Sequence, residues 1–235
     1  MKKQIVILFG PPGAGKGTQS ELLADKLDLY NFETSKILEE KFEEAKTLAE
    51  DSPERFIEVD GEKFDVMHEK DLWVKGFLCD PPFVTYLIKE KVRKLSEEGE
   101  NIIFSGSPRT VYEGQKELPL FEELYGKENI KVFFIKISAD ETIYRNSHRK
   151  ICELRRHSIL FNKQTEALET CPLDGSKLVR RELDTPETIK VRIKEFQERT
   201  FPIMDVFKER GIAVSEINGE QTVAKVFQEI LGKIQ

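Results

Sequence analysis

The sequence offers one lysine in a setting that suits phosphate chemistry. Lys16 lies in the stretch Gly10-Pro11-Pro12-Gly13-Ala14-Gly15-Lys16-Gly17-Thr18. Gly10, Gly13 and Gly15 let the backbone fold tightly, so that its N–H groups point into the loop. A helix starting beyond the loop adds further unpaired N–H groups and the positive end of its dipole. Lys16 supplies a full charge for the outer phosphates of a nucleotide. Such a loop needs a strand before it and a helix after it. Ile5 to Phe9 is an unbroken apolar run rich in branched residues, and Leu22, Leu23 and Leu27 recur at helical spacing. One detail departs from the general motif, which puts Ser or Thr directly after the Lys to bind Mg²⁺. Here Gly17 takes that position and the hydroxyl comes one residue later, on Thr18.

The elements that must position this loop follow from the rest of the chain. With 235 residues and 39% hydrophobic content, one sizeable core can be buried, with small lobes inserted. The net charge of -6 leaves no basic excess for nucleic acid. No apolar run approaches membrane-spanning length, and Met1-Lys2-Lys3 leads straight into the first strand, so a cytoplasmic protein is expected. Three cysteines in so large a chain argue against a disulfide framework, and Cys79, among apolar residues, reads as a small core hydrophobe. A second helix is expected from Lys36 to about Leu48, with Thr34 or Ser35 as its N-cap. Asp60-Gly61 between alternating runs predicts a hairpin over Arg55 to Val66. Helices are expected over Phe83–Leu95, from Asp140, over Pro186–Phe196 and over Val223–Ile230. Buried strands are expected at Asn101–Phe104, Ile130–Ile137 and Ile212–Ile217.

Several of these segments together resemble the adenylate kinase (nucleoside monophosphate kinase) family. GKGTQ, Gly15 to Gln19, has the form of its phosphate loop. Ser105-Gly106-Ser107-Pro108-Arg109-Thr110 resembles the family's D-G-F-P-R-T at the end of a strand, where parallel sheets bind ligands. Lys75-Gly76-Phe77-Leu78 resembles K-G-x-L. Arg145, Arg149, Lys150 and Cys152 meet the pattern R-x-x-x-R-[RK]-x-C, and Arg180 to Thr188 resembles R-x-D-D with Leu183 in place of one Asp. The resemblance implies donor contacts from Gly13, Ala14, Gly15, Lys16, Gly17, Thr18, Arg145, Arg149 and Gln221. For the acceptor AMP it implies Thr34, Gly106, Ser107, Pro108, Arg109, Glu113, Arg181 and Arg192. Lys16, Arg109, Arg149, Arg181 and Arg192 would then form the catalytic set, gathered around the transferred group.

The chain also departs from the family pattern. At the monophosphate corner Ser35, Lys36 and Glu39 replace Gly, Asp and a phosphate-binding Arg, so that Arg55, Lys41 or Lys75 are candidates for the missing charge. Ser105 replaces an Asp that helps hold the Mg²⁺ water shell, and Glu113 replaces a Gln that reads adenine, with Gln115 as an alternative reader. Cys152…Cys171-Pro172-Leu173-Asp174-Gly175 resembles the zinc-binding lid of many members. Arg155 stands where the second Cys would be, and His157 could take its place, giving Cys152, His157, Cys171 and Asp174 as a structural zinc set. The alternative is a lid held by hydrogen bonds and packing.

The resulting expectation is a doubly wound parallel α/β sheet of the P-loop NTPase type with two inserted lobes. Its core would comprise residues 1–29, 91–148 and 183–235, with a monophosphate lobe at 30–90 and a lid at 149–182. The expected reaction is ATP + AMP ⇌ 2 ADP, with Mg²⁺ entering with ATP and the chain acting as a monomer. Two alternatives stand beside it: a kinase for another nucleoside monophosphate, and a nucleotide-binding module without turnover.

Overall fold

The structure, a computed structural model, describes residues 3–154, 156, 158–180 and 184–234. Among the described residues, five parallel strands form the central sheet in the order β10-β6-β1-β5-β2. They are β1 (Ile5–Phe9), β2 (Tyr30–Phe32), β5 (Ile102–Ser105), β6 (Ile130–Lys136) and β10 (Val214–Asn218). The period-two geometry of a strand explains why the central strand β1 is apolar throughout, since both of its faces are buried. On β1, Ile5, Ile7 and Phe9 face one core, while Val6 and Leu8 face the other. The second core is closed by α1 (Lys16–Leu27) and α9 (Val223–Ile234), through Leu23, Ala24, Val226 and Ile230. The first is larger. It is closed by α4 (Pro81–Glu97), α5 (Val111–Tyr125) and α8 (Ile203–Glu209). The expected doubly wound α/β sheet is therefore present.

Two lobes rise from this sheet. One holds α2 (Thr34–Lys46), the hairpin β3 (Phe56–Val59) and β4 (Glu62–Asp65), and α3 (Val66–Val74). The hairpin turns at Asp60-Gly61 as expected, with Phe56 opposite Asp65 and Val59 opposite Glu62. Arg55 holds it shut with two hydrogen bonds to Asp65, of 2.9 and 3.1 Å, while Asp65 also caps α3 by accepting from the Met67 N–H. The other lobe is a small antiparallel sheet of β7 (Lys150–Cys152), β8 (Ser158–Ile159) and β9 (Leu178–Val179), reached from α6 (Ala139–His148) and followed by α7 (Pro186–Glu195).

Three local expectations need correction. Tyr30–Phe32 is a strand paired with β5, Tyr30 opposite Ile102, so the first three residues assigned to the monophosphate lobe belong to the central sheet. Three residues are too short a run for periodicity to reveal; the neighbouring β5 edge makes the strand. α4 likewise runs past residue 90 to Glu97 without a break. Helix α2 begins at Thr34 with Glu33 as its N-cap and no side-chain capping bond, so neither Thr34 nor Ser35 caps it.

Phe104 on β5 carries much of the larger core. It is fully buried, with its ring 4.5 Å from Phe32 and 4.9 Å from Phe121. Truncation there leaves a cavity that neighbouring aromatic rings cannot fill. Phe104→Ala is expected to cost about 3–5 kcal/mol of stability, read as a lowered urea midpoint with the slope unchanged.

Candidate active site

The site forms where β1 and β5 end and their chains turn outward. The loop after β1 runs into α1, with Gly15 at φ 87° just before Lys16. Gly13 has φ 82°, and a Cβ there would lie 2.6 Å from Asn146 Nδ2, so this position requires glycine. The Lys16 ammonium curls back over the loop and donates to the carbonyls of Gly10 at 2.6 Å and Pro11 at 2.9 Å. The loop after β5 contains Gly106, Ser107 and Pro108 and delivers Arg109 to the same place. The Arg109 guanidinium lies over Gly106, where a Cβ would be 2.5 Å from its Nη2.

Two further arginines arrive from the lid side. Arg149 forms a paired hydrogen bond to Asp184, at 2.8 and 2.6 Å. Arg192, on α7, donates to the same carboxylate at 3.4 Å. The Asp184 side chain is 1% exposed, so it is committed to these two guanidiniums. Sequence reasoning missed Asp184; it is the acid left beside Leu183 in the R-x-D-D stretch, and its position between two arginines was the available signal. Arg145 ties the phosphate loop to the last sheet turn, donating to Gly13 O at 3.3 Å and Gly219 O at 2.9 Å.

All of this surrounds one cleft of about 430 Å³. The expected donor residues Gly13, Ala14, Gly15, Lys16, Gly17, Thr18, Arg145, Arg149 and Gln221 all line it. So do Gly106, Ser107, Pro108, Arg109 and Arg192 from the acceptor set. Arg181 and His157 lie outside the described residues. Thr34 is 2% exposed and is not a lining residue; its hydroxyl has no hydrogen-bond partner among the described residues. Glu113 is also turned inward, accepting from the Arg109 N–H at 2.8 Å and the Thr110 hydroxyl at 3.0 Å, and does not line the cleft. Gln115 is exposed and outside the lining. Among the candidates for the missing charge, Arg55 is held by Asp65 and Lys41 by Glu44, and none of Arg55, Lys41 and Lys75 lines the cleft. Lys36 does, paired with Glu33 at 2.5 Å. Glu39 also lines it and accepts from Arg156 of the lid lobe at 3.4 Å.

The electrostatics are lopsided. Desolvation, followed by the nearby charges of Arg109, Arg192 and Arg149, lowers the Lys16 pKa to about 7. Desolvation lowers that of Arg109 too, against the opposing pull of Glu113. A cleft with this much converging positive charge favours a polyanion.

In the lid lobe, Cys152, Cys171 and Asp174 bring one donor atom each within 4.8 Å of one another. Both thiols are buried, and Cys152 Sγ donates to Asp174 at 3.2 Å. The Ser176 hydroxyl and N–H hold the Asp174 carboxyl well below the usual carboxylate range. Among the described residues, no helix is long and apolar enough to cross a membrane.

A parallel sheet with a glycine loop at its switch strand, a loop lysine and converging arginines defines a phosphotransferase of the P-loop type. The adenylate kinase family model matches residues 8–212 of the chain. An adenylate kinase of Caldicellulosiruptor bescii is 29% identical over 230 residues, covering 96% of each chain. One from Clostridium botulinum is 27% identical, covering 96% of this chain and 95% of its own. One from Mycoplasma capricolum is 27% identical, covering 98% and 99%. The chain belongs to the adenylate kinase family.

Phosphate binding must raise the Lys16 pKa, because an anion beside the ammonium favours its charged form. Nucleotide binding at pH 8 is therefore expected to take up a proton, and affinity to fall as pH rises through 7. Calorimetry in buffers of different ionisation enthalpy measures this; Lys16→Met should remove the uptake.

Proposed function

We propose that the cleft catalyses ATP + AMP ⇌ 2 ADP, the reaction for which the family is named. The observation that carries this reading is the convergence of Lys16, Arg109, Arg149 and Arg192 on one cleft at the end of β1 and β5. Phosphoryl transfer of this kind needs no covalent intermediate; positioning and charge neutralisation suffice. Lys16 and the N–H groups at the start of α1 hold the donor phosphates, with Thr18 beside them. Arg145 and Gln221 border the far end of the donor side. Arg109 and Arg192 gather the acceptor phosphate, and Arg149 bridges the two, with Arg181 as a further clamp. Asp184 is added here as a positioning residue, since it fixes the planes of Arg149 and Arg192. The lid excludes water, so that the monophosphate is the acceptor.

Mg²⁺ would enter with ATP, and the hydroxyls of Thr18 and Ser105, both lining the cleft, suit a hydrated ion carried mainly by the phosphates. Zn²⁺ fits the lid set of the buried Cys152 and Cys171 with the half-buried Asp174, with His157 as the fourth ligand, and would act as a structural clip. A monomer working in the cytoplasm completes the reading.

One observation favours a second acceptor. Glu113 stands at the family's adenine-reading position yet faces the protein interior, and Glu39 occupies that of a phosphate arginine. A different nucleoside monophosphate would then be preferred.

A coupled assay with Mg-ATP and a panel of nucleoside monophosphates decides between these. AMP is expected to give the highest kcat/KM; turnover with another monophosphate alone would transfer the assignment, and none at all would sink both readings. Arg149→Ala is expected to lower kcat by about 10²-fold while ATP still binds. Prolonged dialysis against a strong chelator is expected to release about one Zn²⁺ per chain and to lower the melting temperature. A protein that elutes free of zinc after expression with ample metal would end the zinc reading.

A further inference from the structure

Beneath the Arg109 loop lies a buried acidic pair. Glu113 and Glu117 stand one helical turn apart on α5, with 2% and 0% exposure. Between them sits the Ser107 hydroxyl, itself 2% exposed. Its oxygen is 3.2 Å from Glu113 Oε2 and 3.1 and 3.3 Å from the two oxygens of Glu117. A hydroxyl has one proton to donate, so it cannot satisfy both carboxylates as anions.

The two acids are not equivalent. Glu113 receives the Arg109 N–H at 2.8 Å and the Thr110 hydroxyl at 3.0 Å, and its own N–H donates to Thr110 Oγ1 at 3.2 Å. It also faces the Arg109 charge. For Glu117, Ser107 is the hydrogen-bond partner among the described residues. The facing charges are Glu113 on its own helix and Lys89 on α4. On the α8 side, Ile203 and Val206 pack at Gly114 and offer nothing polar there. Across the loop, Arg109 senses the Cys79 thiol.

We propose that Glu113 and Glu117 share one proton across Ser107: Glu117 keeps the proton and donates to Ser107 Oγ, Ser107 donates to Glu113, and the Glu113 anion positions the Arg109 loop. Glu113 touches no substrate and acts through Arg109, so it is a positioning residue. The arrangement explains why an acid sits inward where base contact was expected. The proposal rests on the reading of Arg109 as a phosphate clamp, and Glu117 is new to the site. Desolvation pushes both carboxyls above the ordinary range, Glu117 the further, with Glu113 adding to its shift.

A group whose pKa is raised by folding binds its proton more tightly in the native state. Its stabilising effect is complete below the unfolded carboxyl value and is lost as pH rises toward the folded one. Glu117→Gln, which imitates the protonated acid, abolishes that loss. Its melting temperature relative to wild type is expected to rise by about 3 °C or more between pH 5 and pH 8. A difference that stays the same at both pH values would overturn the shared proton. Glu113→Gln is expected to lower kcat by about tenfold with the KM for ATP changed less than about twofold, because the clamp is misplaced rather than removed. Glu113→Asp, an anion too short to reach the Arg109 N–H, gives the same readout if the amide variant does not fold. Arg109→Lys is assayed alongside. If it lowers kcat and the Glu113 variants do not, the positioning role is wrong. If Arg109→Lys leaves kcat unchanged, the clamp reading fails and the positioning role with it, while the stability comparison still decides the proton.

Discussion

The repulsion among cations that meet at one glycine loop governs this molecule. Lys16 is packed against backbone carbonyls, and burial, followed by the nearby charges of Arg109, Arg192 and Arg149, lowers its pKa to about 7. Holding such groups together without an anion is unfavourable, more so where water is thin. The chain tolerates it because each cation has a tether. The carbonyls of Gly10 and Pro11 hold Lys16, and Asp184 holds Arg149 and Arg192. Arg109 is carried on a loop that Glu113 anchors. Polyphosphate relieves the repulsion, so ligand binding and charge balance are the same event.

This constraint gives the lobes their connection to the sheet. Arg149 lies at the junction between α6 and the lid strands, and Arg192 on the helix that follows the lid. Asp184, on the returning strand of chain, joins the two through a single buried carboxylate. The start of the lid strands and the helix that follows them are thereby tied to one carboxylate. The phosphate loop is similarly fixed from the far side, where Arg145 spans Gly13 and Gly219. Rigid strands position the anion-binding groups, and the lobes bring the rest.

Two of the departures from the family pattern put acids where contact residues were expected. Glu39 accepts from Arg156 of the lid lobe, so an acid at this corner meets a base from across the cleft. Glu113 abandons the cleft for the Arg109 N–H. The donor side keeps its loop, and all of its expected residues border the cleft.

The sequence alone determined the phosphate loop, because a strand, three glycines, a lysine and a helix in that order allow little else. It also determined the sheet's main strands: Ile5–Phe9, Ile102–Phe104 and Val132–Ile135 are apolar on both faces, as buried parallel strands must be. The hairpin at Asp60-Gly61 was legible from its turn chemistry. The inward turn of Glu113 had a local signal as well, since Thr110-x-x-Glu113 has the spacing of a capping box. Other features had none. Tyr30–Phe32 becomes a strand only because β5 offers an open edge 72 residues away, and no local pattern encodes that. Asp184 meets Arg149 across 35 residues, and Ser107 meets Glu117 across a helix start, so their roles exist only once the chain has folded. Local chemistry fixes loops, turns and strand faces; which charges face one another is decided by tertiary packing, because electrostatic partners are set by distance in space and by how much water remains between them.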